Sequence, residues 1–416
     1  MSLTAADRTR IDAGFDAAEG STIALAVSGG GDSLALAFLA HEWAKKSGRA
    51  LVAVTVDHGL RPEAAGEARS VGAFCREFSI PHTILKWQGW DGGGNLQAEA
   101  RNARRRLIGH WAAEEGTRDI FTGHTLDDQA ETVLMRLARG SGVDGLAGMA
   151  ERTQVDGVIW HRPLLRVRRT ALRDLLTLEG IPWIDDPSNE DTRFDRVKAR
   201  QALAALSGVG IDAEGLAATA ARMARARAAL EAQTAQLARA AARLDGGDVL
   251  LNWPALAGAS DEIRNRLVFH ALWWVVGADY RPRAQALNVV LKAMAEGRSV
   301  TLQGCIVTKH GVERRFAREF NAVRDTVSTT GEVWDGRWHL VGPGGPVLEV
   351  RPLGETGLRA CPDWRDSGLP RASALATPAV WDGARLVAAP LAGFSNGWQA
   401  IDQRARTDFA SAAISD

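Results

Sequence analysis

Within the first two hundred residues, short apolar runs alternate with longer stretches of helical spacing, and this alternation leaves few folds open. Residues 23–27 form an apolar run that ends in Gly29, Gly30 and Gly31, and residues 34–46 carry apolar side chains at helical intervals. Residues 51–56 are β-rich and precede a helical stretch at 63–78. Residues 82–87 then lead through a glycine-rich loop at 92–94 into a long helix from Asn95. A fourth strand is expected at 119–122, followed by a helix at 127–139 that Gly140 would stop. Repeated β–α units of this length predict an α/β fold, a doubly wound parallel sheet with helices on both faces and right-handed crossovers. Ligands bind such sheets beyond the carboxyl ends of the strands, so a site should lie after Val27, Val56 and Thr122.

The character changes near residue 205. Leu216, Met223, Leu230, Leu237 and Leu244 recur every seventh residue through an alanine- and arginine-rich stretch, which predicts a long helix with one apolar stripe. Packing on its own chain is the simpler expectation; a homodimer through a coiled coil is the alternative, with only about four heptads to support it. Asp245-Gly246-Gly247-Asp248 is expected to end the helix, a smaller mixed segment runs to about Arg318, and residues 329–332 read as a linker. Short strands at 338–341 and 347–350 complete the chain. We therefore expect an N-terminal α/β domain at 1–210, a helical linker with a middle domain at 211–328, and a small mixed α/β C-terminal domain at 329–416. A chain of 416 residues is longer than one hydrophobic core usually serves.

Fifty basic and fifty acidic side chains give a net charge of +0, so a nucleic-acid partner would have to be held by local basic patches. Cys75, Cys305 and Cys361 are scattered and include no C-x-x-C pair, which argues against a disulfide framework, a structural zinc or a thiol-held cluster. The polar N-terminus does not read as a secretory signal, and the apolar stretch 268–276 is too short to span a bilayer. The expectation is a cytoplasmic protein with no membrane partner.

The strongest chemical signal is Ser28-Gly29-Gly30-Gly31-Asp32-Ser33, directly after a strand and directly before a helix. Glycines let backbone N–H groups approach an anion, and the helix behind them adds its partial positive charge. Ser28 and Ser33 offer hydroxyls, and Asp32 offers a carboxylate to Mg²⁺. No Gly-Lys-Ser/Thr follows, so this is not a Walker A loop. Asp32 would repel a dinucleotide's pyrophosphate unless a cation lay between, so the pattern points to metal-assisted chemistry on a leaving pyrophosphate. A plain glycine-rich turn is the alternative, and the order of strand, loop and helix weighs against it. The hexapeptide resembles the signature of the PP-loop ATP pyrophosphatases, which split ATP into AMP and pyrophosphate to adenylate a carbonyl oxygen. That resemblance implies a PP-loop, HUP-like N-terminal domain, with ATP and Mg²⁺ as cofactors and residues 28–33 at the nucleotide.

Further motifs narrow the choice. Asp57-His58-Gly59-Leu60-Arg61 resembles the family's segment at the nucleotide edge, although His58 could equally be a hydrogen-bonded loop histidine. Glu99-Ala100-Arg101-Asn102-Ala103-Arg104 is similar to a stretch of the lysidine synthetases in which arginines face the active site; alone it would be an ordinary basic helix face. Gly123 and His124, followed by Thr125-Leu126-Asp127-Asp128-Gln129-Ala130-Glu131-Thr132, sit where the fourth strand meets its helix and share a sheet edge with the glycine loop. Asp128 and Glu131 are three apart and so are neighbours on one helical face, in a first turn whose dipole stabilises carboxylates. Such a pair can hold Mg²⁺ or accept a proton from an attacking amine, and helix capping by Asp127 or Asp128 can coexist with either role. Arg139-Gly140-Ser141-Gly142 and Gly145-Leu146-Ala147-Gly148-Met149 are similar to the lysidine synthetases, as are Arg162-Pro163-Leu164-Leu165 and residues 183–189. In Arg196-Val197-Lys198-Ala199-Arg200 the two arginines keep the family's spacing, but Val197 stands where the family has asparagine.

The resemblance is strong over 20–205, fainter through 304–319 and weak beyond. It implies ligation of L-lysine to the wobble cytidine of a tRNA(Ile) with a CAU anticodon, through an adenylated cytidine. Asp32 and Asp128 are the implied metal ligands, Asp32, Asp128, Glu131 and Arg196 the catalytic set, and Arg101, Arg104 and Arg200 the contacts to tRNA or substrate. Which of Asp128 and Glu131 serves as base stays open. Three basic clusters could meet RNA: Arg101 with residues 104–106; Arg166, Arg168, Arg169 and Arg173; and residues 193–200. Each could also be a solvated face. The rival readings are a PP-loop tRNA thiolase, a non-catalytic RNA-binding protein with a degenerate ATP site, and a small-molecule synthetase.

Overall fold

The computed structural model describes residues 3–59, 64–87, 96–155, 157–185, 191–277, 282, 284–343, 347–406 and 408–412. Leu60, Arg61, the loop at 92–94 and residues 186–189 of the motifs above lie outside them. The chain divides into two compact units, Met1–Arg227 and Ala228–Asp416.

The first unit runs α1 (Ala5–Asp16), β1 (Thr22–Ala26), α2 (Gly31–Ser47), β2 (Ala50–Asp57), α3 (Ala64–Glu77), β3 (His82–Lys86), α4 (Leu96–Glu114), β4 (Asp119–Thr122) and α5 (Leu126–Ala138). There follow α6 (Val143–Leu146), β5 (Arg152–Val155), β6 (Val158–His161), α7 (Arg169–Leu178), α8 (Asp195–Leu206) and α9 (Ala213–Ala241), within which the boundary at Arg227 falls. Its sheet has the order β3-β2-β1-β4-β6-β5, parallel except for β5, which forms a hairpin with β6. The doubly wound α/β expectation is met. Strand β1 shows why both faces must be covered. Ile23 and Leu25 enter a core with α1, α2 and α7, whereas Ala24 points to the other face with Ile108 and Trp111 of α4. All three are fully buried, and burying each of the two larger ones contributes roughly 1.5–3 kcal/mol.

From β1 the chain steps outward to β2 and β3, then returns to place β4 on the other flank of β1. The switch point therefore falls between β1 and β4. The loops leaving these two strands lie side by side, as the crevice rule for open sheets requires.

In the second unit, β7 (Ala242–Asp245) and β8 (Asp248–Asn252) are followed by α10 (Trp253–Ala257), α11 (Asp261–Val276) and α12 (Ala284–Glu296). With β9 (Val300–Leu302), β10 (Cys305–His310) and β11 (Glu313–Arg318) they build a sheet of order β7-β8-β11-β10-β9. Here the seven-residue repeat misled: the helix stops at Ala241, and Leu244 lies in β7, 43% exposed. Gly246 (φ 59°) and Gly247 (φ 88°) join Asp245 to its partner Asp248 in a two-residue hairpin. Two consecutive positive φ values suit glycine and match the twist of paired strands, so the four residues turn a hairpin rather than ending a helix.

Beyond Arg318 come β12 (Ser328–Thr329), β13 (Val333–Trp334), β14 (Trp338–Val341), β15 (Glu349–Pro352), β16 (Pro378–Asp382), β17 (Arg385–Ala388) and β18 (Gln399–Asp402). They form the sheets β12-β15-β16-β17 and β13-β14-β18. Thr329, expected in a linker, pairs with Glu349 and donates its N–H to Glu332 at 2.9 Å. The strand expected at 347–350 starts two residues later, at Glu349.

Candidate active site

Leaving β1, the chain turns at Gly29, whose φ of +91° only glycine adopts without strain. Its carbonyl accepts the Ile184 N–H at 3.1 Å. Gly30 is the N-cap of α2 and brings no side chain to the helix end. The Ser33 hydroxyl donates to the Gly30 carbonyl (2.9 Å) and accepts the Ser28 N–H (3.1 Å), so it braces the loop from within. Ser28 is exposed and Ser33 buried, which leaves Ser28 as the hydroxyl that faces outward.

Strand β4 delivers the second half of the site. A β-carbon on Gly123 would lie 2.8 Å from the Asp32 carbonyl oxygen, so only glycine lets the two loops approach this closely. Thr125 caps α5 through a reciprocal box: its hydroxyl accepts the Asp128 N–H at 3.3 Å. Asp128 Oδ2 accepts from both the N–H and the hydroxyl of Thr125 at 2.8 Å. Of the two carboxylates, Asp128 joins the capping box of Thr125, and Asp127 instead accepts the backbone N–H of Arg169 at 2.7 Å. The Gly145–Met149 motif is explained by the same helix. Gln129 exchanges two hydrogen bonds with the Met149 backbone, and Arg136 donates to the carbonyls of Gly145 and Gly148.

At the centre lies a residue that sequence reading placed among the RNA-facing arginines. Arg169 Nε donates to Asp32 Oδ2 at 2.8 Å, Nη2 donates to Asp128 Oδ1 at 3.0 Å, and Nη1 is 3.6 Å from Glu131 Oε1. Arg200 Nε donates to Glu131 Oε1 at 3.0 Å, and Arg196 is 3.7 Å from Asp128. The structure therefore brings Asp32, Asp128, Glu131, Arg196 and Arg200 into one cluster and adds Arg169. A signal for it existed. Arg168 and Arg169 stand at the N-terminus of α7, where the helix dipole disfavours cations, so some acidic partner had to compensate.

Two acceptors in this cluster are unsatisfied. Asp32 Oδ1 and Glu131 Oε2 are buried with no hydrogen-bond partner, whereas both Asp128 oxygens are engaged. Burial raises the Asp32 carboxyl above the usual range, with Arg169 opposing in part. Burial also pushes Asp128 up, but Arg169, the Thr125 N–H and Arg196 outweigh it and hold the carboxyl below its ordinary value. His124 is pushed down to about 4, by burial first and, against the pull of Asp128, by Arg162, Arg196 and Arg101. The Thr122 hydroxyl donates to the His161 carbonyl at 3.2 Å, so His124 Nδ1–H is assigned as donor to Thr122 at 2.9 Å. A neutral imidazole results.

A wall of arginines faces this cluster. Arg162 is pushed down to about 10 by burial and then by Arg101 and Arg105. Arg101 is lowered by lost solvation and then by Arg196, Arg105, Arg104 and Arg136. Like charges held together in this way favour a site for anions. Arg104 donates to His58 Nε2 at 3.3–3.4 Å, and Asp57 accepts the Gly59 N–H at 2.9 Å. The second expected RNA cluster is different. Arg166 pairs with Glu151, Arg168 with Glu214 and Asp127, and Arg173 with Asp185. Those charges are already spent within the protein. Val197, in the place of the family's asparagine, is buried.

The model of the PP-loop domain family matches residues 3–235. A tRNA(Ile)-lysidine synthase of Ruegeria pomeroyi is 49% identical over 401 residues, covering 96% of this chain and 96% of that one. One from Rhodopseudomonas palustris is 46% identical over 65% of this chain and 79% of its own length. The family match and the near full-length similarity lead to one conclusion: the chain belongs to the PP-loop proteins and, within them, to the tRNA(Ile)-lysidine synthase family.

Proposed function

We propose that the protein uses ATP to ligate L-lysine to the wobble cytidine of a tRNA(Ile) carrying a CAU anticodon, releasing AMP and pyrophosphate. The observation that carries this reading is the single guanidinium of Arg169, which spans Asp32 of the nucleotide loop and the Asp128/Glu131 pair. Leaving group and nucleophile are thereby served from one place.

In the first step the ring carbonyl oxygen of cytidine attacks the α-phosphorus, and the bond to pyrophosphate breaks. The N–H groups at the start of α2 hold the departing diphosphate. Arg101, Arg162 and Arg196 offset charge on the phosphates and position the anticodon backbone. Asp32 Oδ1, buried and unpartnered, fits a carboxylate ligand of Mg²⁺, and Asp128, with both oxygens engaged, fits that role less well. Mg²⁺ bound there supplies further charge neutralisation on the leaving pyrophosphate. In the second step the amine of lysine attacks the activated ring carbon, the C–O bond to AMP breaks, and the amine's proton must leave. Glu131 Oε2 is the free acceptor for it, and we assign Asp128 to positioning.

The thiolase alternative fits less well, because all three cysteines are buried. Burial pushes Cys75 up to about 11 and raises Cys305 and Cys361, so none presents a thiolate. We further propose residues 1–210 as the catalytic domain, with 211–328 and 329–416 contacting tRNA, and a cytoplasmic location. Among the described residues, no helix is long and apolar enough to cross a membrane. Incubation with labelled lysine, ATP and CAU-anticodon tRNA(Ile) tests the reading. ATP-dependent label in the RNA is expected; sulfur incorporation, or no label with folded protein, would overturn it.

A further inference from the structure

Arg169, at the start of α7, reaches carboxylates of both α2 and α5. Its guanidinium touches three carboxylates from two elements, Asp32 of α2 and Asp128 and Glu131 of α5. Its own backbone N–H is pinned to Asp127, so its origin cannot drift. The Arg169 side chain is 19% exposed and Asp32 22%, whereas Glu131 is 2% exposed, so Asp32 is a more accessible carboxylate than Glu131. The guanidinium engages one Asp32 oxygen and leaves the other, which is buried, unpartnered.

We infer that Arg169 is a resident counter-cation that keeps divalent metal out of the acidic cluster until a nucleotide arrives. A guanidinium already between Asp32 and Asp128 opposes entry of a free cation by repulsion and holds Asp32 Oδ2 and Asp128 Oδ1. The phosphates of ATP compete for the same guanidinium, and planar bidentate pairing of arginine with phosphate is strong. As Arg169 turns to phosphate, Asp32 is released to the cation that accompanies the nucleotide. Charge is exchanged in one move: arginine to phosphate, metal to carboxylate. Arg169 is thus a positioning residue that orders the binding of metal after nucleotide. This inference rests on the reading above that Asp32 faces the cation of an ATP complex.

The test uses Mn²⁺ as the probe and the full-length protein, with binding followed by titration calorimetry. The wild-type chain should bind Mn²⁺ weakly without nucleotide and strongly with a non-hydrolysable ATP analogue. Arg169→Met should bind Mn²⁺ without nucleotide roughly a hundredfold more tightly than wild type, because the positive charge beside Asp32 is gone. Arg169→Lys, which keeps the charge, should restore the exclusion. A purely structural arginine would not produce tighter metal binding on removal. Equal Mn²⁺ affinity in wild type and a folded Arg169→Met variant overturns the inference. So does strong nucleotide-free binding by the wild type, a result that needs no variant to fold. Wild-type protein that fails to make lysidine would instead remove the functional reading, whatever the metal titrations show.

Discussion

Gly123 lies against Asp32 so closely that a β-carbon on it would fall 2.8 Å from the Asp32 carbonyl oxygen and 3.0 Å from Ser33 Cα. Both neighbours are backbone atoms at the start of α2, so nothing flexible can yield. Gly123→Ala should cost about 1–3 kcal/mol of stability and displace the loop that holds the phosphates. A loop shift approaching 1 Å should lower kcat/KM for ATP by roughly a hundredfold. Steady-state kinetics alongside thermal melting would check this, and an unchanged kcat/KM would show that the approach is not needed.

Glu131 and Asp128 are separable by their chemistry. Glu131→Gln should reduce lysine incorporation by about 10²- to 10⁴-fold while ATP-dependent release of pyrophosphate in the presence of tRNA continues. Asp128→Asn, which disturbs the Thr125 cap and the Arg169 contact, should impair both steps. Quenched-flow separation of the two steps decides it; loss of pyrophosphate release in the Glu131 variant would place that residue in the first step.

His124 links the site to pH. Its folded value of about 4 lies below the ordinary 6.5, so between these values the unfolded chain binds a proton that the folded chain does not. Its contribution is fully present above about pH 6.5 and is lost as pH falls through about 4, amounting to at most about 3 kcal/mol. Urea midpoints at pH 7 and pH 4.5 should therefore fall less for His124→Gln than for wild type. Parallel declines would show that His124 is not held neutral.

The arginines of the first two of the three expected RNA clusters should behave differently. Arg101→Ala should weaken tRNA binding and lower the slope of log affinity against log salt by about one contact. Arg166→Ala should leave the slope unchanged, since Glu151 already holds that charge at 2.7 Å. Filter binding across a salt series measures both, and equal effects would return Arg166 to the RNA surface.

Within the second unit, Arg315 is 1% exposed and donates to Asp248 at 2.8 Å, with Asp248 itself 5% exposed. Arg315→Ala should cost about 3–5 kcal/mol, because it leaves a buried carboxylate without its cation. Denaturant unfolding would test this; a loss below roughly 1 kcal/mol, typical of exposed pairs, would show that water replaces the arginine.

What the amino-acid order determined by itself was local. The strands at 23–27, 51–56 and 119–122 fall within a residue or two of their observed bounds. The glycine loop and the shared face of Asp128 and Glu131 follow from backbone periods of 2 and 3.6 that neighbours in sequence set among themselves. The hairpin at Asp245–Asp248 escaped because the seven-residue apolar repeat runs on to Leu244, inside the strand that enters it, and only pairing of β7 with β8 distinguishes strand from helix there. The tertiary fold alone decided which charges meet. Arg169 is 137 residues from Asp32 along the chain, and Arg200 is 69 from Glu131. An arginine on a helix reads the same whether it faces solvent, phosphate or a buried carboxylate. Its role depends on the side chains that distant elements place within a few ångströms, because charge interactions fall with distance in space and take no account of separation in sequence.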